Sequence, residues 1–450
     1  GSWPGYHPWD IFGVLNVNDE FGRRQPAWRD FRRVNDALAR MQLVLRQGTS
    51  VVDLAVFRDT VGLADASSTV TPQHFLGNES AVAAAGYTYD YVPPAFLADG
   101  GARVEADGSL SVGAMRRKAL LLNEQSTIAV ADAERLLVLA RRGLRIFVIG
   151  DAPTTAAGAA PSGDRLRRAV DALLAERTVR RVAAEKDMPA ALAADDIRPT
   201  VVPSASAASL GLVRRRLDGV SYDFVHNRSG AAVEQVLTLT GRGRPYRLDP
   251  WTGRIVALAQ YASDDGAVTV PVRIPPYGQL MIALVDESAG PGAARHVHAV
   301  SSSGEVVADP SRAPVVRAVR DGRVTTTFDD GSIHAVDVSD VPPEQVLDSW
   351  TLHAQTWTPG DVQFSSVKTN QPAVAIVAGA DGRLPSWREI RAPVDLERSS
   401  GIGTYTTSFE LPSSWQRTDG AYLSLGDVLD TATVTVNGHV IALDPSDRGR

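Results

Sequence analysis

Apolar residues recur at three- and four-residue spacing through PAWRDFRRVNDALARMQLVLRQG, with Trp28, Phe31, Val34, Leu38, Met41 and Leu45 on one stripe. That is the period of an α-helix; Pro26 suits its first turn, and Gly48 stands just past its end, where a left-handed cap is favoured. The following VVDLAVFRD is apolar almost throughout and predicts a buried strand. From about residue 50 to 205, strand and helix patterns alternate. KALLLNE is a continuous apolar strand, TIAVADAERLLVLARRG a helix closed by Gly143, LRIFVIGD the next strand, and DRLRRAVDALLAER a further amphipathic helix. Strand, helix and strand with short joins make a parallel, right-handed βαβ unit, so this stretch reads as an open doubly wound sheet.

Near residue 210 the pattern changes to alternation. Short strands separated by turn residues run to about residue 287, which predicts a small antiparallel sandwich. DESAGPGAARHVHAVSSSGEVVADPSRAP has the Gly, Ser and Pro content of a linker, with Val-rich patches that suit edge strands. Beyond about residue 314 the chain is β-patterned again, most clearly in SWTLHAQTW, GTYTTSFELP, GAYLSLGDV and ATVTVNGHVIAL. In the last of these, Asn437-Gly438 between β-branched runs predicts a two-residue hairpin whose turn residues both take positive φ. A lone hairpin needs more strands to cover its apolar face. The sequence stops soon after Leu443, so this sheet is expected to be incomplete and to present an unpaired edge.

Composition narrows the class. A chain of 450 residues exceeds one ordinary core, and 44% hydrophobic with 22% charged residues is the balance of a globular protein. A net charge of −6 argues against nucleic acid and basic membrane-surface binding. The chain has no Cys, which removes disulfides, thiolate catalysis and zinc–sulfur sites. No apolar run reaches the length of about eighteen residues needed for a spanning helix. The start, GSWPGYHPWD, lacks a basic n-region and an apolar h-region. Both ends lead us to expect a piece of a longer chain.

The C-terminal residues Gly401 to Tyr405, Phe409, Leu411-Pro412, Leu423 to Gly426 and Val434 to Gly438 resemble the jelly-roll sugar-binding-type domain of many glycoside hydrolases. Upstream, the Trp/Pro loop, the helix ending RMQLVLRQG, the strand VVDLAVF, YTYDYVPPAFL, YDFVHNRSG and DPWTGRI follow one another. In that order they resemble the C-terminal part of glycoside hydrolase family 106 α-L-rhamnosidases. The resemblance implies a multidomain α/β plus all-β fold. Residues 1–50 would be the last loop and helix of a catalytic (β/α)8 barrel, and 51–208 a flavodoxin- or amidotransferase-like α/β domain. Residues 209–287 would form the small β-sandwich, 288–344 a linker with edge strands, and 345–450 an incomplete jelly roll. It further implies removal of terminal α-L-rhamnose from glycans with inversion, carbohydrate as partner, and a secreted or periplasmic parent protein. It assigns no cofactor to this chain, with calcium expected only in the intact enzyme.

Glycoside hydrolysis uses two carboxyl groups roughly 5 to 10 Å apart. In the barrel-like segment Asp30 and Asp36 fall on the helix, whereas Asp10, Asp19 and Glu20 lie in the loop. Asp10 and Glu20 are therefore the catalytic candidates, set against the plain reading of a polar loop capping a helix. Trp3, Tyr6, His7 and Trp9, stiffened by Pro4 and Pro8, are the substrate-binding candidates, because rigid rings with polar handles suit the C–H face of a sugar. The competing reading is that they plug a domain rim. Trp350, Trp357, Trp387 and Trp415 are further sugar-stacking candidates; Trp350 and Trp357 fall on opposite faces of a regular strand, so one of them is expected to face outward.

Without Cys or a Gly-x-Ser-x-Gly elbow, the α/β domain is expected to be structural or to support a homo-oligomer. GIGTYT lacks the dinucleotide fingerprint, and His296 and His298 lack a carboxylate cluster for a metal. Two other functions share these features: a non-catalytic carbohydrate-binding or oligomerisation module, and the accessory region of a β-galactosidase-type glycosidase.

Overall fold

The computed structural model describes residues 10–11, 15–16, 25–58, 80–98, 101–157, 163–264, 266–286, 297–308, 314–362, 365–416, 419–426, 428 and 431–441. A 3-10 turn, Pro26–Asp30, leads into helix α1 (Phe31–Leu45). The apolar run that follows is two strands: β1 (Thr49–Val51) and β2 (Leu54–Phe57). They belong to different sheets.

Strand β2 joins β3 (Tyr89–Val92), β4 (Ala119–Asn123), β5 (Ile146–Ile149) and β6 (Val179–Val182) in a five-stranded sheet of order β6-β5-β4-β2-β3. Every pairing is parallel. Helices α2 (Val130–Arg141) and α3 (Gly163–Leu174) cover one face through Leu136, Leu139, Leu166 and Leu173. The short helix Ala81–Ala84 and α4 (Met188–Ala194) cover the other through Val82, Met188 and Leu192. All five β4 side chains are buried, as a central strand covered on both faces requires. Gly143 ends α2 at φ 108°, the left-handed cap expected there.

Strands β7 (Val201–Pro203), β8 (Leu210–Leu217), β9 (Val220–Asn227), β10 (Val233–Thr240), β11 (Arg244–Leu248), β12 (Ile255–Ala257), β13 (Ala262–Asp264), β14 (Ala267–Ile274) and β15 (Gln279–Val285) complete two antiparallel sheets. Their orders are β12-β11-β15-β9-β8-β1 and β7-β10-β14-β13. Val225, Leu237, Leu239, Val268, Val270, Ile282 and Leu284 share the core of this unit. It recruits β1 and β7 from outside residues 209–287, because pairing with β8 and β10 decides membership. The cross-strand pair Arg214–Asp223 is nearly sealed, with nitrogen–oxygen distances of 2.6 and 2.7 Å, and Arg214 also donates to Thr240 O at 2.6 Å in the facing sheet.

Beyond residue 296 the polar stretch holds a three-stranded sheet (Ala299–Ser302, Gly322–Phe328, Ile333–Val338) and a two-stranded one (Glu305–Val307, Val315–Arg317). Strand β16 (Ser349–Pro359) then pairs with β17 (Ser366–Asn370), β18 (Val374–Val377) and β19 (Ser400–Thr406). Leu352, Ala354, Val374, Ile376, Ile390 and Leu396 form its core. The terminal hairpin pairs Val434–Val436 with His439–Ile441 around Asn437 (φ 49°) and Gly438 (φ 80°), the primed turn read from the sequence. GAYLSLGDV is a correction: its described residues form no strand, and Tyr422, Leu423 and Leu425 are exposed, since alternation yields a strand only where a neighbour accepts its hydrogen bonds. No helix among the described residues is long and apolar enough to cross a membrane.

Candidate functional site

Helix α1 sits against the sandwich, near β9, and is tied down at several points. Arg40 Nη1 donates to Pro250 O at 2.7 Å and Trp251 O at 3.2 Å, so the helix grips the DPWTG turn. Asp249 shapes that turn by accepting from Trp251 N at 2.9 Å and from the Thr252 hydroxyl. Gly253, at φ 75°, lies under the guanidinium, and a Cβ there would stand 3.2 Å from Arg40 Nε. From β8, Arg215 donates to Gln47 O at 2.8 Å and Gly48 O at 2.7 Å. Gly48 itself passes so near β8 that a Cβ would fall 2.0 Å from Arg216 O. At the helix entrance, Asp30 accepts from the Thr431 hydroxyl at 2.6 Å. Signatures far apart in the sequence, RMQLVLRQG and DPWTGRI, are therefore one contact in space.

Only part of the predicted site can be placed on this frame. The backbone of Asp10–Ile11 pairs antiparallel with Leu15–Asn16, a narrow loop closure. Trp3, Tyr6, His7, Trp9 and Glu20, like the side chain of Asp10, lie outside the described residues. Asp36 is exposed on the helix beside Arg32, whereas Asp30, beside Arg29, is a correction: only 15% of its side chain is exposed, because the Thr431 segment covers it.

The tryptophans of the C-terminal sheet correct an expectation. Trp350 packs on the core of its sheet, and Trp357, on the opposite face, is also buried, at 6% exposure. Lys368, directly across on β17, holds its ammonium 3.9 Å from the indole centroid, and Trp357 Nε1 donates to Gln355 Oε1 at 2.9 Å. Strand alternation assigns a side chain to a face; it does not tell whether a neighbour covers that face. Trp387 is half-buried and donates to the Tyr405 hydroxyl at 2.9 Å.

The sequence reading missed Asp53, which is fully buried at the break between β1 and β2. Its carboxylate accepts from Thr88 N and Oγ1, both at 3.0 Å, from Lys118 Nζ at 2.7 Å, and from Thr200 N and Oγ1 at 3.0 and 2.5 Å. Thr88 and Lys118 precede β3 and β4, and Thr200 precedes β7, so one carboxylate joins the parallel sheet to the sandwich. A lone Asp inside VVDLAVF was the available signal. Asn227 is likewise sealed, donating to Ala231 O at 2.7 Å and Pro275 O at 2.9 Å.

His298 stacks on Tyr261 at 3.7 Å between ring centroids, with Asp329 at 3.9 Å from Nδ1. No three His, Asp or Glu side chains converge among the described residues, so these residues do not fit a calcium site.

Residues 11–263 match the profile of glycoside hydrolase family 106, described as alpha-L-rhamnosidase. Among solved structures, the rhamnosidase from Novosphingobium sp. PP1Y is similar at 19% identity and a TM-score of 0.59, over 95% of this chain and 36% of that one. A beta-galactosidase from Bacillus circulans sp. alkalophilus matches at 13% identity over 60% of this chain and 46% of that one, with a TM-score of 0.36. No curated protein sequence matches. The chain thus spans 36% of the length of the rhamnosidase whose fold it shares. With more than half of its residues inside the matched span, the chain belongs to glycoside hydrolase family 106, the alpha-L-rhamnosidases.

Proposed function

We propose that this chain is the accessory part of a glycoside hydrolase that removes terminal α-L-rhamnose from glycans. The observation that carries this reading is the family match running from the N-terminal loop through the α/β sheet into the sandwich. In this reading residues 1–50 are the last loop and helix of a catalytic barrel, and the loop faces the sugar with Trp3, Tyr6, His7 and Trp9. A carboxylic acid protonates the leaving oxygen and a carboxylate activates water on the opposite face of the ring, with inversion. Asp10 and Glu20 are the candidates this chain contributes; the rest of the barrel belongs to a longer parent protein, secreted or periplasmic. The sheet around β16 is then part of a jelly roll, and the α/β unit has a structural or oligomerising role.

Calorimetric titration with L-rhamnose and a rhamnose-containing oligosaccharide tests the placement of the sugar. Binding that a Trp3→Ala/Trp9→Ala double variant loses supports it. Equal binding by both proteins removes the loop from the sugar site, and rhamnoside hydrolysis by this chain alone refutes the division of labour.

A further inference from the structure

Asn437-Gly438 is the one place in the chain where glycine follows asparagine. An asparagine side chain carries an amide carbon within reach of the next residue's backbone nitrogen, and asparagine is a thermolabile residue for that reason. Ring closure between the two needs a following residue without a bulky Cβ, a nitrogen outside the hydrogen-bond ladder, and freedom to bring the atoms together. The terminal hairpin supplies all three.

Glycine meets the first condition, and a Cβ placed on Gly438 would find no heavy atom within 4 Å, so nothing crowds the nitrogen from that side. In a two-residue turn the ladder bonds belong to the flanking pair, here Val436 and His439, which leaves Gly438 N outside the ladder. The third condition follows from how little holds the turn. Each strand has three residues, the two pair only with each other among the described residues, and every residue from Val436 to Ile441 is exposed. An isolated hairpin of this size opens readily. Opening matters because the tight primed turn fixes Asn437 at φ 49° and must relax before its side chain can close on Gly438 N.

The other asparagines among the described residues lack this combination. Asn16 precedes the β-branched Val17, and Asn35 lies in helix α1 before Asp36. Asn123 is buried and precedes Glu124; Asn227 is sealed, with its amide donating to Ala231 O at 2.7 Å. Asn370 lies in β17 before Gln371, and its Oδ1 accepts from Gln355 Nε2 at 3.0 Å.

We propose that Asn437 is a site of spontaneous deamidation whose isoaspartate product opens the terminal hairpin. Gly438 N loses its proton to solvent base and attacks Asn437 Cγ. The N–Cγ bond forms, the Cγ–Nδ2 bond breaks, and Nδ2 takes a proton and leaves as ammonia, closing a succinimide. Water then opens the ring at either carbonyl, giving aspartate, or isoaspartate in which the main chain runs through Cβ and Cγ. Water is the only co-reactant. Isoaspartate lengthens the backbone of the turn by one carbon, so the Val436–His439 pairing that a two-residue turn sets is lost.

The test ages the full chain and an Asn437→Gly variant for weeks in mildly alkaline and in mildly acidic buffer, then maps peptide masses after digestion in acid. Glycine at this position accepts the positive φ of the turn and removes the amide. We expect the peptide spanning Asn437 to gain the mass of an amide turned to acid, several-fold faster in alkaline buffer because solvent base removes the Gly438 proton. The aged chain should accept methyl groups from S-adenosylmethionine through a protein-isoaspartate methyltransferase, which reads isoaspartate. Its amides from Val434 to Ile441 should exchange hydrogen several-fold faster than in fresh protein. Asn437→Gly should show none of these changes on ageing. A chain that gains no mass there, gains it first at another asparagine, or gains it equally fast in both buffers overturns the proposal. Mass gain without methyl acceptance would mean that aspartate alone forms, and unaltered exchange that the hairpin survives; either overturns the opening of the hairpin.

Discussion

The parallel sheet of residues 54–182 and the C-terminal sheet around β16 are both built from short apolar strands, yet they are covered to very different extents. In the first, β2, β4 and β5 are buried on both faces, with Leu54, Leu121 and Ile149 at 0% exposure. In the second, one face of β16 holds a small core, while Val367 on β17 and Val377 on β18 are exposed. The difference lies in what is layered on the strands. Helices cover both faces of the parallel sheet; among the described residues the C-terminal sheet has a 3-10 turn, Trp387–Glu389, with Leu384, Trp387 and Val394 packed on one side. A strand's apolar pattern becomes stability only when another layer excludes water from it.

The sharpest way to break this comparison is to truncate matched residues. Leu121→Ala should lose about 2 to 5 kcal/mol, through transfer and cavity terms together. Val377→Ala, at a site 65% exposed, should change stability by less than about 0.5 kcal/mol. Denaturant unfolding of the two variants checks both, and equal losses would mean that the C-terminal sheet is as well covered as the parallel one.

Asp53 comes next. Replacing it with Ala leaves the Lys118 ammonium and the donors of Thr88 and Thr200 without their shared acceptor. A cost of about 3 kcal/mol is expected, at the low end for a broken buried pair because Lys118 is 39% exposed. Since those donors precede strands of both sheets, the unfolding of the α/β unit and the sandwich should separate into two transitions. A single transition with an unchanged midpoint would show that the interface holds without this carboxylate.

The smallest effect concerns pH in the C-terminal unit. Side-chain donation from Arg383, then from the Ser386 amide and hydroxyl, holds the Glu389 carboxyl down at about 2, from an ordinary 4.5. A lowered folded value means that its stabilisation is present above about pH 4.5 and is lost as pH falls from there through about 2. The group is exposed, so the effect should be small and should shrink in salt. Trp387 fluorescence, followed through thermal unfolding at about pH 6 and about pH 3, should show a lower midpoint in acid, and Glu389→Gln should flatten the difference. An acid shift that persists in Glu389→Gln would assign it to another carboxylate.

Much of the candidate site's frame was legible in local pattern. The stripe from Trp28 to Leu45 is a helix, the Asn437-Gly438 turn has both φ values positive, and KALLLNE and LRIFVIGD lie side by side in parallel. What pattern alone missed is informative. VVDLAVF reads as one strand, but Asp53 divides it between two sheets. Arg40 and the DPWTG turn stand over 200 residues apart, and nothing local marks them as partners. Alternation put Trp350 and Trp357 on opposite faces, with one of them expected to face outward, but Lys368 across the ladder covers Trp357 as well.

By itself the sequence determined where most of the helices and strands form, which turns need glycine or asparagine, and which family the chain resembles, because period, propensity and φ tolerance act between residues a few positions apart. Only the tertiary structure decided which sheet each strand joins, which carboxylates are sealed into networks, and which aromatic rings are covered. Those outcomes depend on pairing and desolvation between segments distant in the chain, and burial of Asp53 or Asn123 is a property of the neighbours that surround it rather than of the residue.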